Sequence, residues 1–144
     1  MRTICFAFAL AFLTAPATAE TVVESGNDFA TTLAKLRNAI EASPASIIHE
    51  VDHAAGAQGA GLELEPTTLV IFGNPQVGTQ LMQADRDVAL ALPMKVLVAE
   101  VDGTVRIIYD DPAELSDAYS LGDAAELTEK MSGLVGKLAE AAAN

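Results

Sequence analysis

The stretch IFGNPQVGTQLM, residues 71–82, changes from strand to helix within three residues. The preceding residues 67–72 contain almost no polar interruption, which predicts a strand buried on both faces. Gly73 tolerates backbone angles that other residues avoid, Asn74 is a favoured helix N-cap, and Pro75 suits the first helical position. The sequence therefore predicts a strand-to-helix corner that needs no ligand to explain it.

The same corner has a second, weaker interpretation as an anion site. The start of a helix presents backbone N–H groups, which can bind a negatively charged ligand. Gly78 and Thr79 follow closely and could leave room for one. On this interpretation Asn74, Gly78 and Thr79 are the ligand-binding candidates.

The residues before the corner predict further helices and strands of a single domain. Asn27 or Asp28 can cap a helix whose apolar residues recur at spacings of 4, 3 and 4. A strand follows at residues 47–51. Short helices capped by Asp52 and Asp85 are expected as insertions between strands. The predicted class is α+β, with the core order β-α-β-β-β-β-α.

A hairpin is predicted after the corner, with strands at residues 94–101 and 104–109. The dipeptide Asp102-Gly103 between them is typical of a type I′ turn, which needs positive φ at both positions. Alternation places one apolar set on the first face: Val96, Val98, Val105, Ile107 and Tyr109. The second face is also mostly apolar, and it carries Leu97, Ala99, Val101, Arg106 and Ile108.

This second apolar face predicts a homodimer. An uncovered apolar face is uncommon on a monomer, and a two-fold partner is the simplest cover. The alternative is that the short helices near His53 and Asp85 cover it.

The C-terminal third is expected to hold one amphipathic helix. Asp123 and Glu126 predict a capping-box start. Residues 110–117 suggest a solvated loop before the helix, and the Ala-rich end suggests a frayed terminus. One apolar stripe follows from the spacing of Leu127, Met131, Leu134, Val135 and Leu138.

The N-terminus has the three parts of a secretory signal peptide. Arg2 gives a positive n-region, residues 4–13 form an apolar h-region, and the ATA triplet at residues 17–19 is an A-x-A cleavage site. The apolar run is too short for a permanent membrane span. We therefore expect cleavage after Ala19 and a periplasmic or secreted protein that begins at Glu20, with no stable membrane insertion.

Cleavage would leave one acidic domain, residues 20–144. The 144-residue chain has 8 basic and 20 acidic residues, and loss of Arg2 leaves a net charge of −13. Cys5, the one cysteine of the chain, is lost with it, so the core alone must hold the fold. The negative charge disfavours nucleic acid and anionic membranes as partners.

Two stretches, DHAAGAQGAGLELEPTTLVIFGNPQVGTQLM (residues 52–82) and ALALPMKVLVAEVDGTVRIIYDDP (residues 89–112), resemble the exported branch of the family called domain of unknown function 302 (DUF302). The resemblance covers roughly residues 47–112. It implies a compact α+β fold, with a mixed sheet and helices mainly on one face, and a homodimer, but no established reaction. Two departures are visible: Glu65 stands where a basic residue is common, and Ala99 where an aromatic residue is common. A family function that used either position could be altered here.

His53 is the best candidate for metal or acid–base chemistry. It stands at the predicted start of a short helix, and a neutral imidazole can act as a metal ligand or general base. Met82 could add a soft thioether, and the combination would suit copper or haem. His49 is expected on a strand, so it need not converge with His53. The interpretation that we favour is that His53 bonds to the backbone and Met82 fills the core.

Residues 20–144 contain no recognisable catalytic motif. They lack a cysteine nucleophile, a G-x-S-x-G elbow, a P-loop and a dinucleotide fingerprint. The sequence therefore favours a non-catalytic, homodimeric exported module that binds a small ligand or a protein partner, and it assigns no cofactor. The alternative is a metal- or haem-binding protein centred on His53, which could be redox-active.

Overall fold

The structure, a computed structural model, describes residues 20–144. The predicted signal peptide, residues 1–19, lies outside the described residues. In the described part, no helix combines the length and the apolar character needed to cross a membrane.

Residues 20–144 contain the five strands and the first and last long helices of the predicted order, and the α+β class is confirmed. The strands are β1 (Thr21–Glu24), β2 (Ser46–Asp52), β3 (Thr67–Gly73), β4 (Met94–Val101) and β5 (Thr104–Tyr109). The α-helices are α1 (Phe29–Glu41), α2 (His53–Gly59), α3 (Pro75–Ala84), α4 (Leu115–Ala118) and α5 (Ala125–Ala143). Short 3₁₀ turns lie at Arg86–Leu90, Pro112–Glu114 and Gly122–Ala124.

The five strands form one sheet in the order β1-β5-β4-β3-β2, and all neighbours are antiparallel. The expected mixed sheet is therefore wrong. β1 and β2 run in the same direction, but α1 connects them across the sheet and they occupy its opposite edges. The β4–β5 turn has φ of 51° at Asp102 and 76° at Gly103, which confirms the predicted hairpin.

One face of the sheet packs against the helices and forms the core. Its central side chains are fully buried, as are Leu36 and Ile40 of α1, and Val135 and Leu138 of α5 are almost so. Burial of each such side chain contributes about 1.5–3 kcal/mol. The central residues of this face are Val70, Phe72, Val96, Val98 and Ile107.

The opposite face, which we call the open face, carries an aliphatic row across all five strands. Each residue of the row is the register partner of the next, and none of them is buried in the chain alone. Partners in antiparallel strands project from the same side of the sheet, so the row is continuous. It consists of Val22, Ile108, Leu97, Leu69 and Val51.

The structure corrects three expectations about the C-terminal third. Ala124 occupies the N-cap position of α5 and makes no side-chain cap, because a 3₁₀ turn leads directly into the helix; the predicted capping box is absent there. Residues 110–117 are not an open loop: they form a 3₁₀ turn and α4, and Pro112 is buried.

The Ala-rich end of α5 is not frayed. Ala139, Ala142 and Ala143 are buried, since their small side chains fit at a packed surface. The carbonyl oxygen of Ala143 accepts hydrogen bonds from Gly26 N and Asn27 Nδ2, both at 3.1 Å. The loop after β1 therefore satisfies a backbone group of the last helical turn, which would otherwise need water.

Candidate functional site

A cleft of about 480 Å³ lies beside the strand-to-helix corner that follows β3. The corner, α3, the adjoining residues 92–94 and α5 line it. The connection between α1 and β2 closes one end, where Ile48 is 59% exposed and Ala45 is buried. The cleft thus runs from the protein surface to the edge of the core.

Asn74 holds the corner with its whole side chain. Its Oδ1 accepts from Gln76 N at 2.9 Å, as predicted for an N-cap, and its Nδ2 donates to Pro44 O at 3.1 Å. The backbone N–H groups of Val77 and Gly78 donate to Asn74 O at 3.1 and 3.0 Å. All of these groups form hydrogen bonds within the chain, so the structure explains the corner as a capped turn that needs no ligand.

The backbone of Gly73 lies beside Pro93 and Ile48. Its φ lies outside the left-handed region, so the expected need for unusual backbone angles is wrong. A Cβ at this position would lie 3.5 Å from Pro93 Cβ and 3.9 Å from Ile48 Cδ1. A side chain larger than a methyl would compete with Pro93 and Ile48 for space at the edge of the cleft.

All three methionines of residues 20–144 line this cleft. Met94 and Met131 are largely buried, and Met82 is half-buried. Met94, Met131 and Leu92 also line a second cleft of about 260 Å³, so they form the partition between the two. Methionine side chains are unbranched and polarizable, and they adapt to apolar molecules of irregular shape.

The polar groups around the main cleft are few. Asn74 and Lys130 are the only lining residues with polar side chains, and Lys130 is the only charged one. It lies at the exposed rim, on α5. Sequence reasoning missed Lys130. The available signal was its position within the series Leu127, Lys130, Met131 and Leu134, whose spacing places all four on one helical face.

The five predicted site residues separate into two groups. Asn74, Gly78 and Met82 line the cleft, whereas His53 and Thr79 are exposed and do not. A role in ligand binding stays a prediction for all five. Asn74 caps α3 through its bond to Gln76 N, and this role does not depend on a ligand.

His53 begins α2, as predicted, and Asp52 caps this helix by accepting from Ala55 N at 2.9 Å. His49 lies on β2 as the register partner of Ile71. No group of three or more His, Cys, Asp or Glu side chains suited to a metal ion comes together within residues 20–144.

The two departures from the family pattern lie away from the cleft. Glu65 Oε2 accepts from Asp102 N at 3.2 Å, so this carboxylate supports the hairpin turn. Ala99 is the register partner of Thr67 and Arg106 on the open face and is 5% exposed. Neither substitution changes the lining of the cleft.

The strongest electrostatic pairing lies outside the cleft, between α1 and β2. The Arg37 guanidinium donates to both carboxylate oxygens of Glu50. This pairing lowers the pKa of Glu50 and raises that of Arg37. Burial, with a smaller effect from Asp111, raises the pKa of Tyr109.

Curated proteins resemble this chain in sequence. It is 41% identical over 109 residues to the fluoride-specific ion channel FluC 1 of Brucella suis biovar 1 (strain 1330), which covers 75% of this chain and 43% of the relative. The FluC 2 channel of Brucella melitensis biotype 1 shows the same identity, with 40% of its length covered. The chain thus spans about two fifths of the length of these curated relatives, and the channel names describe those longer proteins.

A solved structure has the same fold. It is the crystal structure of an uncharacterized conserved DUF302 protein from Bacillus stearothermophilus, which matches with a TM-score of 0.78 at 17% identity. The match covers 88% of this chain and 99% of the other. Residues 21–138 match the family described as domain of unknown function DUF302. This match spans every strand, α1 to α4 and most of α5, and the chain therefore belongs to the DUF302 family.

Proposed function

We propose that this chain is a non-catalytic binding module whose cleft holds a small, largely apolar molecule. The observation that carries the proposal is the lining of the cleft. Aliphatic, proline and methionine side chains form nearly all of it, and the polar atoms of Asn74 are already bonded to the chain. A volume of about 480 Å³ falls within the range of small-molecule sites.

The absence of convergent reactive groups in the lining supports binding without catalysis. Acid–base or nucleophilic catalysis needs at least one group that can transfer a proton or attack, with a second group to activate or orient it. Lys130 is the only titratable residue among those that line the cleft. A lone lysine at an exposed rim can attract a ligand, but it has no activating partner there.

A neutral fluorescent probe, N-phenyl-1-naphthylamine, tests the binding function. We expect saturable binding to the purified protein. Gly78→Leu should weaken it at least ~10-fold, because the new side chain would extend from α3 into the cleft, where Leu92 Cδ1 and Met82 Cε lie 3.9 and 4.0 Å from the Cβ position. Gly133→Leu is the matched control: it also replaces a helical glycine, but at an exposed position outside the lining.

Both substitutions remove a glycine from a helix, which favours the helix by up to about 1 kcal/mol. The urea midpoints of both variants, compared with that of the natural protein, separate loss of binding from unfolding. Saturable binding that Gly78→Leu left unchanged, or no saturable binding at all, would refute the proposal.

A homodimer through the open face is the second part of the proposal. The aliphatic row Val22–Ile108–Leu97–Leu69–Val51 supports it, because exposure of such a row in water is unfavourable. The two short elements that could have covered this face leave the row unburied: α2 contacts β3 but has no buried residue of its own, and the 3₁₀ turn at Arg86–Leu90 packs with α3. A symmetric partner would cover the row with an identical one.

Sedimentation of the purified protein at micromolar concentration tests the dimer. We expect a dimer for the natural protein and a folded monomer for Leu97→Asp, which places a charge at the centre of the row. Thr104→Asp, on the same face but at the end of the hairpin, should remain dimeric. A natural protein that sediments as a monomer would rule the dimer out.

The alternative of a metal or haem site centred on His53 requires ligands beyond this exposed imidazole. Within residues 20–144 Met82 lines the cleft and His53 does not, so the pair is not brought together there. Metal analysis and a visible spectrum of protein purified from its own compartment would decide: a bound metal or a Soret band lost in His53→Ala would support the alternative.

A further inference from the structure

We propose that the natural ligand of the cleft is a single-headed anionic amphiphile: an apolar chain that ends in one carboxylate, with the carboxylate at Lys130. This inference rests on the binding function proposed above and names the chemical class of the ligand. The inference follows from the position of Lys130, the one charged residue that lines the cleft.

Lys130 interrupts an otherwise apolar helical face. Leu127, Lys130, Met131 and Leu134 all line the cleft, and their spacing of i, i+3, i+4 and i+7 puts them on one side of α5. Packing alone would favour an apolar residue at each of these positions. A lysine can lay its methylene stem along the apolar neighbours and keep its ammonium group at the water boundary.

The ammonium group is available to a ligand. Among the described residues, the one salt bridge joins Arg37 to Glu50, and the Lys130 ammonium makes no hydrogen bond. Lys95 differs, since its Nζ donates to Ala91 O at 3.2 Å and to Pro93 O at 3.4 Å and supports the entry to β4. The Lys130 ammonium can therefore donate to an incoming carboxylate without breaking a bond within the described chain.

Depth and charge together set the polarity of the ligand. The inner end of the cleft is formed by Ala45, Met94 and Met131, all less than a tenth exposed, whereas Lys130 is exposed at the rim. An apolar tail would therefore lie inward and the head outward. One cation matches one negative charge, and the net charge of −13 on residues 20–144 would oppose a multiply charged head. A cationic head would be repelled by Lys130.

Three probes of equal chain length separate the contributions of tail and head: dodecanoate, dodecanol and dodecyltrimethylammonium. Each would displace N-phenyl-1-naphthylamine from the purified protein at low salt. The ionic probes are kept below their micelle concentrations and dodecanol below its solubility limit. We expect dodecanoate to bind about 2- to 5-fold more tightly than dodecanol, the range for one exposed charged contact, and the cationic probe to bind most weakly.

Lys130→Met should remove this preference while it preserves the apolar stem. The affinity for dodecanoate should fall about 2- to 5-fold, and that for dodecanol should stay the same. Lys137→Met, two turns further along α5 and outside the cleft lining, removes the same net charge and should keep the preference.

The outcomes distinguish this inference from the function on which it rests. Equal affinity for dodecanoate and dodecanol, or a preference that Lys130→Met does not change, overturns the anionic head and leaves the apolar binding site standing. Failure of all three probes to displace a dye that Gly78→Leu excludes overturns the amphiphile alone, whereas absence of saturable dye binding overturns both the amphiphile and the binding site.

Discussion

Arg37 Nε donates to Glu50 Oε1 at 2.8 Å, and the second guanidinium nitrogen donates to the other carboxylate oxygen. The pair fastens the last turns of α1 to β2, which is an edge strand of the sheet. Both side chains are partly exposed, at 43% and 26%, so solvent screens the attraction. Such pairs contribute about 0.5 kcal/mol.

The contribution of this pair should depend on pH in the acid range. Arg37 lowers the pKa of Glu50 below its ordinary value of 4.5, so the folded protein loses the Glu50 proton more readily than the unfolded chain. The stabilisation is therefore complete above pH 4.5 and is lost as the pH falls through the lowered value. We expect Glu50→Gln to cost about 0.5 kcal/mol at pH 7 and nothing in strong acid, as measured by urea unfolding. Glu41→Gln, at an exposed end of α1, is the control, and a cost independent of pH would contradict the assignment.

Asn74→Ala should destabilise the fold by about 1–2 kcal/mol, because it removes both the cap on Gln76 N and the hydrogen bond to Pro44 O. Thr79→Ala lies on the same helix, is exposed and should change stability by less than about 0.5 kcal/mol. Chemical denaturation measures both. Equal stability of the two variants would mean that the corner does not depend on its cap.

Two glycines near the ends of β3 and β4 should respond differently to alanine. Gly73 lies outside the left-handed region, and an added Cβ would make ordinary contact with Pro93, so Gly73→Ala should be nearly neutral. Gly103 has φ of 76°, where a side chain is strained, so Gly103→Ala should cost about 1 kcal/mol. The free energies of unfolding decide, and the reverse order would refute this explanation of Gly73.

Export remains a prediction from residues 1–19. N-terminal sequencing of protein recovered from the periplasm or medium should begin at Glu20, because the ATA triplet precedes it. Substitution of Ala17 and Ala19 by large residues should block the cleavage. Recovery of membrane-bound protein that still begins at Met1 would contradict the prediction.

The features that the sequence predicted well are those that depend on neighbours in the chain. Asp28, Asp52, Asn74 and Asp85 each cap the helix or turn that follows, as their residue type and position indicate. The hairpin follows equally from the local pair Asp102-Gly103, which needs no distant contact to adopt its turn.

The features that it missed depend on distant contacts. The buried end of α5 relies on the loop after β1, more than 110 residues earlier in the chain. The cleft is built from segments around Pro44, Asn74, Pro93 and Met131, which local patterns cannot bring together. Lys130 cannot be distinguished from an ordinary surface lysine in the sequence, because the residues that line the cleft with it come from distant segments of the chain.

The bond between the loop after β1 and the end of α5 has a consequence for how the protein opens. Gly26 and Asn27 both donate to the Ala143 carbonyl. Release of the first strand would therefore break the hydrogen bonds to the last turn of α5, and unwinding of that turn would break the same bonds to the loop after β1. Both ends of the described chain should then exchange their amide hydrogens as one cooperative unit rather than as two independently opening termini. A protease that cleaves within β1 or within the last turn of α5 would accordingly need both segments to open together.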